Sequence, residues 1–207
     1  MAETDQGAAV GRRRDVDHAA ETGRGTLQDP GTPGGARLSV IVMGVSGSGK
    51  TTIGEQLAAE LGLGFIDGDA LHPAANVAKM AAGTPLNDDD RRPWLARIGQ
   101  TLADAPGAGM VIACSALKQS YRQTILAASA GTLFVHLDGS EETLTARMNE
   151  RSGHFMPPGL LASQLATLEP LAVGEPGVRL SIDDPVTKIV AEAAGAVRAK
   201  GTTAEAS

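Results

Sequence analysis

The sequence has few aromatic residues, a single cysteine, no long apolar run and no excess of positive charge. Phe, Trp and Tyr make up 2% of the 207 residues, but apolar residues reach 42% and charged residues 20%, which is ordinary for a globular protein. The lone Cys114 excludes an internal disulfide and favours a reducing, cytoplasmic compartment. No stretch approaches the roughly 18 apolar residues of a membrane helix. Because the formal charge is -6, neither nucleic acid nor a membrane is an expected partner.

The length fits one domain, which is flanked by two segments of different composition. Residues 1–36 are rich in Gly, Asp, Arg and Thr and contain no aromatic residue and no Ile, so we predict a disordered N-terminal tail. Residues 201–207 are predicted to form a short C-terminal tail. The folded domain is therefore expected to span residues 37–200.

Short apolar runs alternate with helix-compatible stretches. The run Leu38–Met43 is typical of a buried parallel strand, and the spacing of Ile53, Leu57 and Leu61 with Gly62 behind them predicts a helix that ends at a glycine cap. Four further strands are predicted at residues 63–66, 109–113, 132–137 and 178–182. Five strands alternating with helices predict an α/β fold with a five-stranded parallel sheet.

The segment from residue 67 to residue 109 is too long for a single crossover between two strands. It contains Pro73, Pro85 and Pro93 and a dense polar cluster. We therefore predict a helical, substrate-binding insertion there.

Residues 44–51 read Gly-Val-Ser-Gly-Ser-Gly-Lys-Thr, the full Walker A spacing, between a predicted strand and a predicted helix. Glycines at these positions let backbone N–H groups approach phosphate oxygens that a Cβ would keep away. Lys50 is predicted to reach the β and γ phosphates, and the Thr51 hydroxyl to ligate Mg²⁺, so the predicted cofactors are ATP and Mg²⁺. The predicted nucleotide-binding residues of this loop are Gly44, Val45, Ser46, Gly47, Ser48, Gly49, Lys50, Thr51 and Thr52.

Two carboxylates follow the second predicted strand. Asp67 and Asp69 stand two residues apart, so in extended chain both point toward the strand ends where ligands bind. Asp67 is predicted to face the metal, and Asp69 to orient the acceptor hydroxyl and take its proton; a turn or capping pair is the alternative. For His72, on the same loop, a ligand role and a turn role are equally compatible with the sequence.

Cations gather in three other places. Arg91 and Arg92 follow an acidic helix start, and either suits an anionic substrate. Lys118 comes after the third predicted strand. Arg147 and Arg151 share one helical face near His154, where closure of a lid over ATP and a solvated basic face are the alternatives. We expect packing roles for Trp94, Cys114 and His136.

Five strings together resemble the bacterial gluconokinase family: the Walker A string, Asp-Gly-Asp-Ala-Leu-His, Pro-Leu-Asn-Asp-Asp-Asp-Arg-Arg-Pro-Trp-Leu, Cys-Ser-Ala-Leu-Lys and Gly-His-Phe. The resemblance spans about residues 40–190. It implies a three-layer, nucleoside-monophosphate-kinase-like α/β fold with a short lid, a homodimer, and transfer of the ATP γ-phosphate to the 6-hydroxyl of D-gluconate to give 6-phospho-D-gluconate.

The resemblance also implies roles for particular residues. Lys50, Asp69, Arg147 and Arg151 would be catalytic. The ATP side would include Arg147, Arg151 and, in a weaker correspondence, Pro185. The sugar-acid side would be lined by Asp69, His72, Arg91, Lys118, Arg122, His154 and Gln164.

Two other kinds of function fit parts of the sequence: a shikimate kinase or another small-molecule P-loop kinase, and a nucleotide-sensing binding module. Shikimate kinases share the loop and the paired aspartates, but the Gly-Gly-Gly turn expected after the third strand is replaced here by Cys-Ser-Ala-Leu-Lys. A nucleotide-sensing binding module would also use the loop, but the guanine-reading Asn/Thr-Lys-X-Asp string is absent. Turnover with a small-molecule acceptor separates an enzyme from such a module.

Overall fold

A computed structural model describes residues 37–150 and 160–205. The strands are β1 (Leu38–Met43), β2 (Gly64–Asp67), β3 (Gly109–Ala113), β4 (Leu133–Asp138) and β5 (Gly177–Ser181). The helices are α1 (Lys50–Leu61), α2 (Ala74–Ala81), α3 (Asp88–Ala103), α4 (Gln119–Ala128), α5 (Glu141–Glu150), α6 (Leu160–Thr167) and α7 (Val186–Glu205), with a 3₁₀ turn at Gly68–Leu71.

The strands form one parallel sheet in the order β2-β3-β1-β4-β5. This confirms the predicted five-stranded parallel sheet, with each strand within a residue or so of its predicted bounds. Since all strands run the same way, the loops that follow them meet at one edge of the sheet. Strand β1 lies in the middle, so the loop after it is central to that edge.

Side chains of β1 alternate between two cores. Val40 and Val42 pack with α1 and α7 on one face, whereas Ile41 and Met43 pack with α3 and α4 on the other. A sheet covered by helices on both faces gives the predicted three layers, and burial on both faces explains why β1 reads as a continuous apolar run.

Local sequence signals fix where two helices begin and end. Helix α1 ends at Gly62, whose φ of 68° is the left-handed conformation that favours glycine, and its N–H bonds back to the last turn. Helix α3 begins with a reciprocal capping box, in which the side chains of Asn87 and Asp90 each accept from the other's backbone N–H. Helices α2 and α3 form the predicted helical insertion between β2 and β3.

The two predicted tails are described by the structure to different extents. Helix α7 continues to Glu205, so residues 201–205 are helical, whereas the sequence predicts a tail from residue 201. The predicted N-terminal tail, residues 1–36, lies outside the described residues. In the part of the chain that the structure describes, none of the helices combines the length and apolarity that crossing a membrane requires.

Two glycine-to-alanine changes should alter stability in opposite directions. A Cβ on Gly99 would lie 2.7 Å from the Ile125 carbonyl oxygen and 2.9 Å from the Ala128 Cβ, forcing α3 away from α4, whereas one on Gly195 in α7 meets nothing within 4 Å. We expect Gly99→Ala to destabilise by about 1–3 kcal/mol. The control Gly195→Ala should stabilise by about 0.5–1 kcal/mol through helix propensity. Urea denaturation of both variants measures this, and equal shifts would contradict it.

Candidate active site

The loop between β1 and α1 is shaped for close approach of backbone to a ligand. Gly44, Gly47 and Gly49 have φ values of 146°, 84° and 89°, in the region that side chains other than glycine rarely adopt. A Cβ on Gly44 would also lie 2.7 Å from the Leu137 carbonyl oxygen. Gly49 is the N-cap of α1, so the positive end of that helix faces the loop.

Lys50 and Thr51 occupy the first turn of α1. The Lys50 Nζ donates to the Val45 carbonyl at 3.0 Å, so the ammonium lies across the loop. The Thr51 hydroxyl donates to Asp67 Oδ2 at 3.1 Å, and Asp67 Oδ1 accepts from the Asp69 backbone N–H at 3.0 Å. These bonds connect the first turn of α1 to the end of β2 and the turn that follows it.

Thr51 and Asp67 offer a hydroxyl and a carboxylate, both hard oxygen donors of the kind that Mg²⁺ takes. Across residues 37–150 and 160–205, no group of three or more His, Cys, Asp or Glu side chains is arranged to hold a metal. Mg²⁺ in kinases is held through one or two carboxylates together with water and phosphate oxygens, so this small donor set fits that ion.

Two cavities border the loop, and a third cavity shares lining residues with the first. The first, of about 220 Å³, is lined by loop residues including Lys50 and Thr51, and by Asp67, Asp69, Ser115 and Gln164. It therefore joins the phosphate loop to both carboxylates of the turn after β2.

The second cavity, of about 320 Å³, lies on the other side of the loop beside α7. Its lining includes Gly47, Ser48, Thr52, Arg147, Asp184 and Val186. The Arg147 Nη2 donates to the Ile182 carbonyl at 2.6 Å, which holds this arginine of α5 against the loop after β5. Pro185 stands between two lining residues, and its carbonyl caps α7. Arg147 and the Pro185 loop thus lie together at the expected ATP side.

The third cavity, of about 550 Å³, is lined by two of the cationic side chains predicted for the sugar-acid side. Arg91 of α3 and Lys118 of the loop before α4 line it, together with Asp88, Tyr121, Ser163 and Thr167 among others. Asp88 accepts from Lys118 Nζ at 2.8 Å and from the Tyr121 hydroxyl at 2.5 Å. Arg91 Nη1 donates to the Leu86 carbonyl at 2.5 Å. The charged side chains of the lining are Arg91, Lys118 and Asp88, so the lining carries a net positive charge.

The bonds within this cluster hold its charges in place. The hydrogen bonds from Lys118 and then Tyr121 lower the pKa of the Asp88 carboxyl below its usual value. The same Asp88 bond raises the pKa of the Lys118 ammonium. Burial, followed by the bond to Asp88, raises the pKa of the Tyr121 hydroxyl. Around pH 7 the cluster therefore presents Lys118 charged, Asp88 ionised and Tyr121 neutral.

Ser115 and Gln164 line both the first and the third cavity. The Gln164 Oε1 accepts from the Ser46 backbone N–H at 2.6 Å, so helix α6 contacts the phosphate loop directly. The two cavities meet at these residues. A group bound in the third cavity can thus present a hydroxyl next to a phosphate held by the loop.

Comparison with known proteins agrees with this geometry. A family model described as shikimate kinase matches residues 46–163, more than half of the chain. The chain is 46% identical to a probable gluconokinase of Xenopus tropicalis over 79% of this chain and 95% of the relative. It is 51% identical to a gluconokinase of Gluconobacter oxydans over 69% of this chain and 81% of the relative. The chain belongs to the gluconokinase family of P-loop kinases.

A solved structure supports the same assignment. The crystal structure of a gluconokinase from Sinorhizobium meliloti aligns with a TM-score of 0.72 at 46% identity, covering 82% of this chain and 98% of that one. Membership of this family makes the protein a kinase that binds ATP and confirms the resemblance drawn from the five strings.

Arg122, which the family resemblance places on the sugar-acid side, does not line any of the three cavities. Arg122 is fully buried, and its guanidinium forms a double ion pair with Glu175 at 2.7 Å. Its remaining N–H groups donate to the carbonyls of Ala116, Leu117, Glu169 and Pro170. All of its donors are thus used inside the protein, and the substrate contact that the resemblance implies for Arg122 stays a prediction. Arg122 fastens the loop before α4 to the segment after α6.

Other predicted residues lie as follows. Arg151 and His154 fall outside the described residues, together with the expected lid. His72 is not among the residues that line the three cavities but lies beside Asp69, with its Nε2 4.0 Å from Asp69 Oδ1. Trp94, Cys114 and His136 are buried, as expected for packing residues. Cys114 also borders the first cavity, and burial raises the pKa of its thiol to about 12.

Sequence reasoning missed Asp88 and Tyr121. The sequence indicates Asp88 as one of several acids at a helix start, and it does begin α3, but its carboxylate also accepts a hydrogen bond from Lys118. The spacing of Lys118 and Tyr121, three residues apart at the start of α4, was the available signal that both side chains share one face.

Removing a partner from the Arg122 pair should cost far more stability than removing Lys118. Arg122→Met leaves the Glu175 carboxylate without its counter-ion, for which we expect a loss of about 3–5 kcal/mol. Lys118→Met removes a partly exposed pair and should leave the unfolding free energy nearly unchanged. Chemical denaturation compares the two. Equal losses would show that the buried ion pair of Arg122 and Glu175 contributes no more to stability than a surface pair.

Proposed function

We propose that this protein transfers the γ-phosphate of ATP to the 6-hydroxyl of D-gluconate, giving 6-phospho-D-gluconate and ADP. The observation that carries the proposal is the junction at Ser115 and Gln164, where a cation-lined cavity opens onto the phosphate cavity. The relatives named gluconokinase, at 46% and 51% identity, support gluconate as the acceptor.

The lining of the third cavity suits a polyhydroxy acid. Arg91 and Lys118 would attract the carboxylate of gluconate, with Arg91 able to pair through its planar fork. Asp88, Tyr121 and Ser163 supply acceptors and donors for the hydroxyls along the chain of the sugar acid. The far hydroxyl then reaches the first cavity, where Asp69 lies.

Phosphoryl transfer depends mainly on positioning and on neutralising charge. The loop N–H groups and Lys50 would hold the transferred phosphoryl group, and Asp69 would orient the acceptor hydroxyl and take its proton. Thr51 and Asp67 would hold Mg²⁺, which when bound offsets negative charge on the β and γ phosphates. Arg147 would act on the ATP side.

The remaining assignments are part of the same proposal. Arg151 and His154 would act from the lid, the former toward ATP and the latter toward the sugar acid. The protein would act in the reducing cytoplasm, a compartment with which the free, buried thiol of Cys114 is compatible. The homodimer that the family resemblance implies stays a prediction.

The substrate is tested by comparing acceptors in a coupled ADP assay. We expect turnover with D-gluconate well above that with shikimate, glycerate or adenylylsulfate. Among these, only gluconate has a carboxylate for Arg91 and Lys118 at one end of a six-carbon chain and a primary hydroxyl for Asp69 at the other end. Product analysis should place the phosphate on the 6-hydroxyl. Turnover with shikimate and not with gluconate would instead favour shikimate kinase activity, by which the matching family model is described.

The role of Asp69 is tested with a matched aspartate from the same part of the chain. Asp69→Asn should lower kcat by roughly 10²–10⁴-fold, because the amide no longer takes the proton, while ATP affinity changes little. Asp89 is exposed, forms an ion pair with Arg92 at 3.3 Å and lines none of the three cavities, so Asp89→Asn should keep wild-type kinetics. Wild-type kcat in Asp69→Asn would exclude the proposed role.

A further inference from the structure

His72 is held in one orientation by a buried stack. Its side chain is 5% exposed, and its ring lies on the Trp94 indole with 4.1 Å between centroids and 14° between planes. The Trp94 Nε1 donates to the Gly68 carbonyl at 2.8 Å. Gly68 begins the turn that carries Asp69, so the stack is fastened to the same turn whose carboxylate it faces.

Asn76 decides which His72 nitrogen carries the proton. The Asn76 Nδ2 donates to the Asp90 carbonyl at 2.8 Å, and only the nitrogen end of an amide can do so, which fixes the amide orientation. The same Nδ2 lies 3.3 Å from His72 Nδ1. Because this amide nitrogen can only donate, His72 Nδ1 must be the acceptor and therefore unprotonated.

The proton of the neutral imidazole is then on Nε2, which lies 4.0 Å from Asp69 Oδ1. Burial is the largest influence on the His72 pKa and lowers it, with Asp69 acting against this and Arg91 adding to it. A neutral ring with its proton on Nε2 has no lone pair facing Asp69. His72 thus cannot itself take the proton of an acceptor hydroxyl from that side.

The Asp69 carboxylate needs a hydrogen-bond donor that holds it in one orientation. Its side chain is 88% exposed, and the bond between its own backbone N–H and Asp67 fixes the turn but not the carboxylate. An exposed carboxylate rotates among several orientations, and only some of them face a hydroxyl at the loop.

We propose, on the basis of the function proposed above, that Asn76 holds His72 in its Nε2–H tautomer and that His72 donates to Asp69, orienting the carboxylate toward the acceptor hydroxyl. A closure of about 1 Å between the two side chains brings the donor into hydrogen-bond range. His72 and Asn76 are positioning residues: neither lines the cavities, and both act through Asp69. One oxygen of the Asp69 carboxylate is then bound to His72, and the other is available to the acceptor hydroxyl.

The tautomer is measured directly in the ¹⁵N-labelled full-length protein by long-range ¹H–¹⁵N correlation spectra, which distinguish a protonated from an unprotonated ring nitrogen. The chain has four histidines, and the His72 signals are those missing from the spectrum of His72→Gln. We expect the neutral Nε2–H form at pH 7.5. The Nδ1–H form would overturn the proposal, and this readout does not depend on gluconate being the substrate.

Kinetics separate positioning from a purely structural role. Asn76→Asp offers Nδ1 an acceptor instead of a donor, so we expect the tautomer to change and kcat to fall about 10- to 100-fold with the KM for ATP unchanged. Arg97→Met removes a contact to the Leu71 carbonyl at the end of the same turn without touching His72, and should change neither the tautomer nor kcat. An equal loss in Arg97→Met, or wild-type kcat in Asn76→Asp with a changed tautomer, would contradict the proposal.

A second pair of variants covers the case in which Asn76→Asp does not fold. The glutamine amide of His72→Gln places an N–H donor near the Nε2 position, whereas that of His72→Asn reaches only the Nδ1 position. We therefore expect His72→Gln to retain at least about tenfold more kcat than His72→Asn. Equal activities of the two variants would show that a donor facing Asp69 is not required. Absence of gluconate turnover in the wild type would reject the proposed function and leave the tautomer result standing.

Discussion

The central place of β1 in the parallel sheet is the constraint on which the site depends. With β3 on one side and β4 on the other, the loop after β1 lies where the chain order of the sheet changes direction. The turn after β2, the loop after β3 and the segment after β5 therefore all reach the same edge. The phosphate loop needs neighbours on both sides, and this topology provides a nucleotide side and an acceptor side, to which the helical insertion between β2 and β3 contributes Asp88 and Arg91.

Much of this arrangement follows from local sequence. The strands could be predicted because a strand buried on both faces is an unbroken apolar run, and the phosphate loop because its spacing stands between such a run and a helix. The end of α1 at Gly62 and the start of α3 at Asn87 could be predicted for the same reason, since a cap involves only neighbouring residues. The identity of the acceptor, in contrast, could be predicted only from resemblance to a family. Cations and carboxylates at a site are compatible with many anionic sugars.

The parts that could not be predicted depend on contacts between distant residues. Lys118 and Arg122 stand four positions apart and are both cations, yet one lines a cavity and the other is fully buried. What separates them is Glu175, more than fifty residues later, which pairs with Arg122. Similarly, the tautomer of His72 depends on the carbonyl of Asp90 acting through Asn76. Neither partner is visible from the spacing of the residues concerned.

The buried thiol at the edge of the phosphate cavity has a practical consequence. A thiol whose pKa is about 12 is ionised at pH 7 in only about one molecule in 10⁵, so Cys114 is a poor target for oxidants and for maleimides. It is also the sole cysteine of the chain. A cysteine introduced on the surface would thus be the one thiol that a fluorophore or spin label modifies, and the wild-type background needs no cysteine removal before distances across the site are measured.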